Sequence, residues 1–377
     1  MGYPLFASNG VPAFCEWGTR KKMKLTVDGV PVFCIIQFNV AIPRRIKSKN
    51  QMNEINLNQG RKIAQKMLAR TVGVELECDG LSRDNIASLM REANERGVDI
   101  RWDDESRCYM DSHITRDYWK VTDDGSINGG RPCEVVSPPL MPIDFVNEMF
   151  ILCELFEKYN FCVNRTMGFH VHHDGDGKVS KARKLTPKRL KYLVNHFVKN
   201  ESNFDALVSP SRRSSQWARS NKDELKVLVK PSLRDGRDED GYYNAHGINQ
   251  QPNGYSIGRD CRGGARYRKL NIHAFTAHGT IEFRQHQPTL NFTKIVMWTV
   301  LTQSIVGRSF QKVNEVENYD DNILNMLLAG KFADHYKGGI LPRCEASEYV
   351  CEYVCERVVH FGVKAAPTLY KRSEVNA

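Results

Sequence analysis

The chain has 377 residues and is 41% hydrophobic, enough for a sizeable core in one large domain or two ordinary ones. No apolar run approaches 18 residues, which excludes a helical membrane span. No Gly-x-x-x-x-Gly-Lys loop and no Cys-x-x-Cys pair occurs, which sets aside a P-loop nucleotide site and a cysteine zinc site. Of the net charge of +10, residues 1–70 supply +9, with twelve Lys/Arg against three Asp/Glu. The protein therefore reads as a near-neutral body with a basic N-terminal segment. Such a segment suits contact with nucleic acid or another polyanion, or a solvated extension. The N-terminus lacks a secretory pattern, and Phe6 breaks the myristoylation pattern that Met-Gly begins. Eleven scattered cysteines, an odd number, suit reduced thiols in a cytoplasm better than a disulfide framework.

In chain order, residues 25–33 read as a small hairpin around Asp28-Gly29. Residues 43–60 are polar and read as a linker, followed by a short helix over 61–70. Residues 71–78 alternate as a strand should. A helix follows with Ile86, Leu89, Met90 and Ala93 on one face and Gly97 closing it. Strands are expected at 118–121 and 134–136, the second stopped by Ser137-Pro138-Pro139. Helices are expected at 145–159 and 190–199, the latter opened by Thr186-Pro187. Residues 231–265, rich in Gly, Asp, Arg and Asn, form a long irregular loop. Two strands and a helix follow over 266–306, then helices at 323–328 and 349–359. The order lacks a βαβ rhythm or a repeat, which argues for an α+β fold with an antiparallel sheet.

Successive side chains on a strand point to opposite faces, and that rule isolates the chemistry. Along 71–78, Val72, Val74 and Leu76 face the core while Gly73, Glu75 and Glu77 face away. Along Gly168-Phe169-His170-Val171-His172-His173, the pair His170 and His172 share a side, and His173 reads as a loop residue. Along 279–286, Ile281 and Phe283 face inward, with Glu282, Arg284 and His286 outward. Glu134 sits beside an apolar pair. A solvated sheet face ordinarily carries Thr, Ser, Lys and Gln; these faces carry carboxylates, imidazoles and a guanidinium. Carboxylates with imidazole ligate divalent cations, and arginine's planar fork suits phosphate or carboxylate. Gly73, Gly168 and Gly279 would let a ligand or a neighbouring backbone approach closely.

The ordered set Gly73-Val74-Glu75-Leu76-Glu77, Asp124-Gly125-Ser126, Glu134-Val135-Val136-Ser137-Pro138-Pro139-Leu140, Asn164, Gly168-Phe169-His170-Val171-His172, Arg266-Tyr267-Arg268-Lys269-Leu270-Asn271 and Gly279-Thr280-Ile281-Glu282-Phe283-Arg284 resembles the amidoligase family of the carboxylate–amine ligase superfamily. The resemblance covers about residues 70–310. It implies a basic extension over 1–70, a catalytic domain over 71–310 and a C-terminal helical segment over 311–377. The implied fold is α+β: a curved antiparallel sheet, a partial barrel like that of glutamine synthetase, with helices on its outer face. The implied reaction is ATP-dependent amide formation between a small-molecule or peptide carboxylate and an amine, through an acyl phosphate. By the same resemblance Glu75, Glu77, Glu134, His170 and Glu282 hold Mg²⁺ or Mn²⁺. His172 faces the ATP phosphates or supports a ligand. Arg284 holds the transferring phosphoryl group, and Glu75 and Glu282 act with it in catalysis. Arg266, Arg268 and Ser126 contact nucleotide or substrate, as does one of Arg212 and Arg213. Members occur in bacteria and phages, so the expected location is cytoplasmic, the host's if the chain is phage-encoded.

Two rival readings stand beside this one. A His-x-His strand also fits a metal-dependent amidohydrolase, but only 205 residues follow the pair, few for the rest of such a barrel, and Glu282-x-Arg284 has no role there. A non-catalytic nucleic-acid-binding protein would work through the basic N-terminus and leave the Glu/His/Arg faces unexplained. His113, His196, His246, His273 and His278 belong to no motif and read as core or surface residues. Lys178, Lys181 and Lys184 read as a solvated loop and helix start, and the glycines of 258–264 as a possible phosphate cradle or an unstructured loop.

Overall fold

The computed structural model describes residues 54–103, 115–222, 266–310 and 345–361, together with four short backbone strands near the N-terminus. The expected helix at 323–328, the loop at 231–265, the glycines of 258–264, His113 and His246 lie outside the described residues.

The N-terminal strands form two small antiparallel pairs. β1 (Leu5–Phe6) pairs with β2 (Pro12–Ala13), and β3 (Leu25–Val27) with β4 (Val30–Val32), Val27 opposite Val30 as the Asp-Gly pattern predicts. Helix α1 (Leu57–Met67) starts four residues earlier than the sequence suggested. Polar residues taken for a linker are its cap: Asn56 Oδ1 accepts from Gln59 N and Gln59 Oε1 accepts from Asn56 N.

The body is built on one open seven-stranded sheet, ordered β10–β11–β9–β5–β8–β7–β6. Its strands are β5 (Val72–Asp79), β6 (Ile100–Trp102), β7 (Trp119–Asp123), β8 (Pro132–Val136), β9 (Phe169–Asp174), β10 (Leu270–Asn271) and β11 (Thr280–His286). All neighbours are antiparallel except β6 and β7, which run parallel, so the sheet is mixed rather than purely antiparallel. The edge strand β6 is the strand of this sheet that the sequence reading missed; three residues are too few to show an alternation. Helices α2 (Arg83–Glu95), α3 (Pro142–Lys158), α4 (Pro187–Ala206), α7 (Phe292–Arg308) and α8 (Glu345–Phe361) join α1 around the apolar side; the turns α5 (Pro210–Arg213) and α6 (His273–His278) flank the other. Pro142 and Pro187 stand at first helical positions, where a missing N–H breaks no bond. No described helix is long and apolar enough to cross a membrane.

The alternation read from sequence is what divides the sheet. Val72, Val74, Leu76, Cys133, Val135, Phe169, Val171, Ile281 and Phe283 are buried in one apolar cluster with α3, α4 and α7. Two histidines depart from expectation. His173 is a fully buried core residue of β9, not a loop residue: its Nε2 lies 2.8 Å from Thr302 Oγ1 and its Nδ1 accepts from Gln303 Nε2 at 3.2 Å. His286, expected on the outward face, packs inward against Trp298 and Phe169, with ring centroids 4.9 and 5.5 Å away. The reason is a β-bulge. Phe283 pairs with Val171 and His286 with Phe169, so β11 spends one residue more than β9 between the two pairs, and the alternation resets.

Charge is also buried in this core. Lys269, 1% exposed, donates to Glu201 at 3.0 Å and to both Asp205 oxygens at 2.7 and 2.9 Å. Gln285 Nε2 also donates to Asp205 Oδ1, at 2.5 Å, tying the bulge of β11 to α4. Removing one side of such a cluster strands the other, at about 3–5 kcal/mol. Lys269→Met should therefore lower unfolding stability by that order in urea titrations.

Burial, before any neighbouring charge, holds both His173 and His286 well below the ordinary imidazole value. The folded chain keeps them neutral, while the unfolded chain protonates them below about pH 6.5. Stability therefore falls as pH drops through that value, by up to about 1.4 kcal/mol per pH unit for each histidine. In His286→Asn the slope of unfolding free energy between pH 6.5 and 5 should shrink by one histidine's share.

Candidate active site

Strand register, not chain proximity, assembles the polar face. Glu75 of β5 lies directly opposite His170 of β9 and Val136 of β8; Glu77 lies opposite Glu134; His172 lies opposite both Gly73 and Glu282; Asn271 lies opposite Glu282. Directly opposed residues have Cβ atoms about 5 Å apart, so each pairing puts functional groups within reach. Glycines make the room. A Cβ at Gly168 would stand 2.9 Å from His170 Nε2 and 3.1 Å from Arg212 Nη2 and would force those side chains to shift, and Gly279, at φ 73°, closes α6 directly before β11.

Glu75 is the centre of the site. Its Oε2 lies 2.8 Å from His170 Nδ1 and its Oε1 lies 3.0 Å from His172 Nε2. His172 Nδ1 lies 3.1 Å from Thr280 Oγ1. Glu282 Oε1 bonds Arg284 Nη1, and it stands 3.7 Å from His170 and 3.8 Å from His172. Its other oxygen accepts from Asn271 Nδ2 at 2.6 Å. Glu77 accepts from the Gly168 amide at 2.6 Å and stands 3.6 Å from His170.

These groups fall into three overlapping sets, each with ligand atoms mutually within 4.8 Å: Glu75, Glu134 and His170; Glu75, His172 and Glu282; Glu77, Asp124 and Glu134. Oxygen donors dominate each set, the pattern that hard divalent cations take.

Electrostatics sort the carboxylates. Burial would raise Glu75, but the charge and hydrogen bonds of His172 and His170 outweigh it and hold the carboxyl well below its ordinary range. For Glu282, burial is likewise overcome, by Arg284 and His172. Glu134 is the opposite case: burial, reinforced by Glu75, Glu77 and Asp124, pushes it well above the ordinary range. Arg284 is raised: burial opposes the shift, and Glu282 and Glu75 prevail. The cavity is thus a sink of negative charge with cations on one wall.

The cavity encloses about 950 Å³ and is lined by Glu75, Glu77, Asp124, Glu134, His170, His172, Glu282 and Arg284. Ser126 and Arg266 also line it. Arg266 donates to the Tyr267 hydroxyl at 2.7 Å and lies over its ring. Arg268 is not brought in; it donates to the Ser220 carbonyl at 3.0 Å and bridges to Arg219. Of Arg212 and Arg213, only the first reaches the cavity. Arg212, 4% exposed, lines the cavity and donates to the Arg284 carbonyl at 2.6 Å, whereas Arg213 turns to the Val208 carbonyl and the Phe361 ring. Burial lowers the Arg212 guanidinium to about 10, against the pull of Glu77, so it remains charged at neutral pH.

Three members, Asp124, Asn271 and Thr280, stand inside motifs quoted from the sequence but received no role there. Asp124 lies in the turn between β7 and β8, where no alternation flags it. Asn271 and Thr280 support Glu282 and His172 but are ordinary strand residues taken singly. His273, half-buried, and His278, exposed, also line the cavity wall, whereas His196 is a core residue stacked on Tyr192. The open, largely antiparallel sheet is not the parallel eight-stranded barrel that the amidohydrolase reading requires.

Comparison with curated proteins finds no match. Residues 68–306 match the model of the family described as putative amidoligase enzyme, a span that begins just before β5 and ends within α7, enclosing the whole cavity. The chain belongs to this amidoligase family.

Proposed function

We propose that the protein is an ATP-dependent carboxylate–amine ligase. The γ-phosphoryl group of ATP passes to a substrate carboxylate, ADP leaves, and an amine displaces phosphate from the acyl phosphate to form an amide. The observation that carries this reading is the overlap of three carboxylate-rich groups on one sheet face, with Arg284 and Arg212 beside them. The donor set fits Mg²⁺ or Mn²⁺, which Glu75, Glu77, Asp124, Glu134, His170, His172 and Glu282 would hold. Bound there, the cations supply countercharge for the phosphate oxygens.

The side chains divide the remaining work. Arg284, held by Glu282, presents its guanidinium to the transferring phosphoryl group, where fixed positive charge stabilises spreading oxygen charge. Arg212 adds a second buried cation from the neighbouring turn. Ser126 and Arg266, on the cavity wall, contact nucleotide or substrate. On this reading the sheet is a glutamine-synthetase-like platform, residues 71–310 form the catalytic unit, and α1 and α8 buttress it from outside that span.

Incubation with ATP, Mg²⁺, amino acids or peptides, and small amines should release ADP only when both a carboxylate and an amine are present. Glu75→Ala should cut turnover by roughly 10³ or more, and Arg284→Ala by about 10²–10³, in chains that melt like the wild type. ADP release without an acceptor, or full turnover in Glu75→Ala, would overturn the reading. Cation binding gives an independent check. Glu75 enters two of the three groups and Asp124 only one. Mn²⁺ titration followed by electron paramagnetic resonance should therefore show a greater loss of bound ion in Glu75→Gln than in Asp124→Asn.

A further inference from the structure

Residues 177–200 contain eight Lys/Arg and no Asp/Glu, a charge run that the cavity chemistry does not use. Its first part is the loop between β9 and α4, which forms one rim of the cavity through Asp176 and Val179. The loop is firmly built. The Asp174 carboxylate accepts from the amides of Gly177 and Ser180 at 2.8 and 3.0 Å and from the Ser180 hydroxyl. The Leu185 amide donates back to the Gly175 carbonyl at 2.8 Å. From beneath, buried Arg70 donates to the carbonyls of Asp174 and Arg183 at 2.7 and 2.6 Å. Lys181 is held at φ 57°, a left-handed conformation that a lysine adopts only when its surroundings impose it. The result is a pre-set loop with Lys178, Lys181, Arg183 and Lys184 exposed; Lys178, its side chain 81% exposed, pairs with Asp176 at 2.8 Å. Beside them Val179, 54% exposed, lines both the cavity and an adjoining hollow of about 540 Å³. The open space therefore continues past the loop, beyond what a single amino acid fills.

We infer that this loop is a docking strip for an acidic polypeptide, one of whose carboxylates enters the cavity as the group to be activated. Lysines spaced along a rigid rim attract and align a chain of carboxylates before any one of them reaches the site. A nucleic acid is the poorer occupant. The aromatic ring beside the strip, Phe310, has Arg70, Arg189 and Arg183 over it at 4.6, 4.7 and 5.6 Å, so it is not open for a base to stack on. The choice of a carboxylate-bearing partner rests on the ligase reading; the docking itself does not.

The test is fluorescence anisotropy of a fluorescein-labelled octaglutamate peptide with the full chain. Wild type should bind it, more weakly as salt rises. The variant Lys178→Glu, Lys181→Glu, Lys184→Glu should bind at least about tenfold more weakly with an unchanged melting temperature. The milder pair Lys178→Ala, Lys184→Ala should give a smaller loss in the same direction, and serves if the triple variant melts early. Absence of binding by wild type, or equal affinity in the variants, would overturn the proposal; the latter would shift the contact to the basic residues 1–70. A labelled single-stranded oligonucleotide that binds more tightly than the peptide, and is lost in the same variants, would overturn it in favour of a nucleic-acid surface. Peptide binding that depends on the lysines but yields no ADP from ATP with any amine supports the strip and counts against the ligase reading. ADP release with free glutamate but no peptide binding does the reverse.

Discussion

Three strands of this protein, β5, β8 and β11, turn four glutamates to one face of the sheet, and mutual repulsion is the constraint that everything else answers. Glu75, Glu77, Glu134 and Glu282 share one cavity with Asp124. Buried like charges are tolerated only with counter-charge or with protons. The chain supplies some of the first through Arg284, Arg212 and the His172 imidazole, which Glu282 and Glu75 raise against burial. The remaining imbalance falls on Glu134, the carboxyl with the least help, which burial and its acidic neighbours push toward the protonated form. A face so arranged is poorly suited to being left alone and well suited to polyvalent cations.

The apolar side of the sheet is what makes that tolerable. Trp298, Phe283, Phe169 and Phe197 fill the space behind the strands so that the carboxylates cannot relax by letting the strands drift. Interiors packed to this density transmit strain instead of absorbing it. The site is thus pre-organised by groups that never touch it, which is the condition under which fixed charges are most effective on developing charge.

Much of this was legible in the sequence because two-residue alternation is a direct physical signature. It assigned β5, β9 and the first part of β11 to their faces, and with them Glu75, Glu77, His170, His172, Glu282 and Arg284. The illegible parts have physical reasons. A bulge adds a residue without any sequence mark, so His286 turned inward. Arg212 and Arg213 are adjacent on a four-residue turn, and only its packing against β11 decides which one faces the cavity. Asp124 owes its role to a loop returning over the sheet. Arg268 looks equivalent to Arg266 in sequence, and only its bridge to Arg219 and its bond to the Ser220 carbonyl draw it away. Asn56 and Gln59 looked like linker polarity, although their three-residue spacing is also that of a helix cap.

Gln303 of α7 is the quiet member of the structure. Its side-chain oxygen accepts from the amides of Ala69 and Arg70 at 2.6 and 3.0 Å, and its nitrogen reaches the Arg70 carbonyl and the His173 ring. One amide thereby clamps the chain where it enters β5 and the inward face of β9, two strands that must stay in step. A slip of a single position between them would exchange inside for outside along the whole strand and scatter the glutamates away from the histidines. The clamp works as a ratchet pawl: it fixes which tooth the two central strands engage.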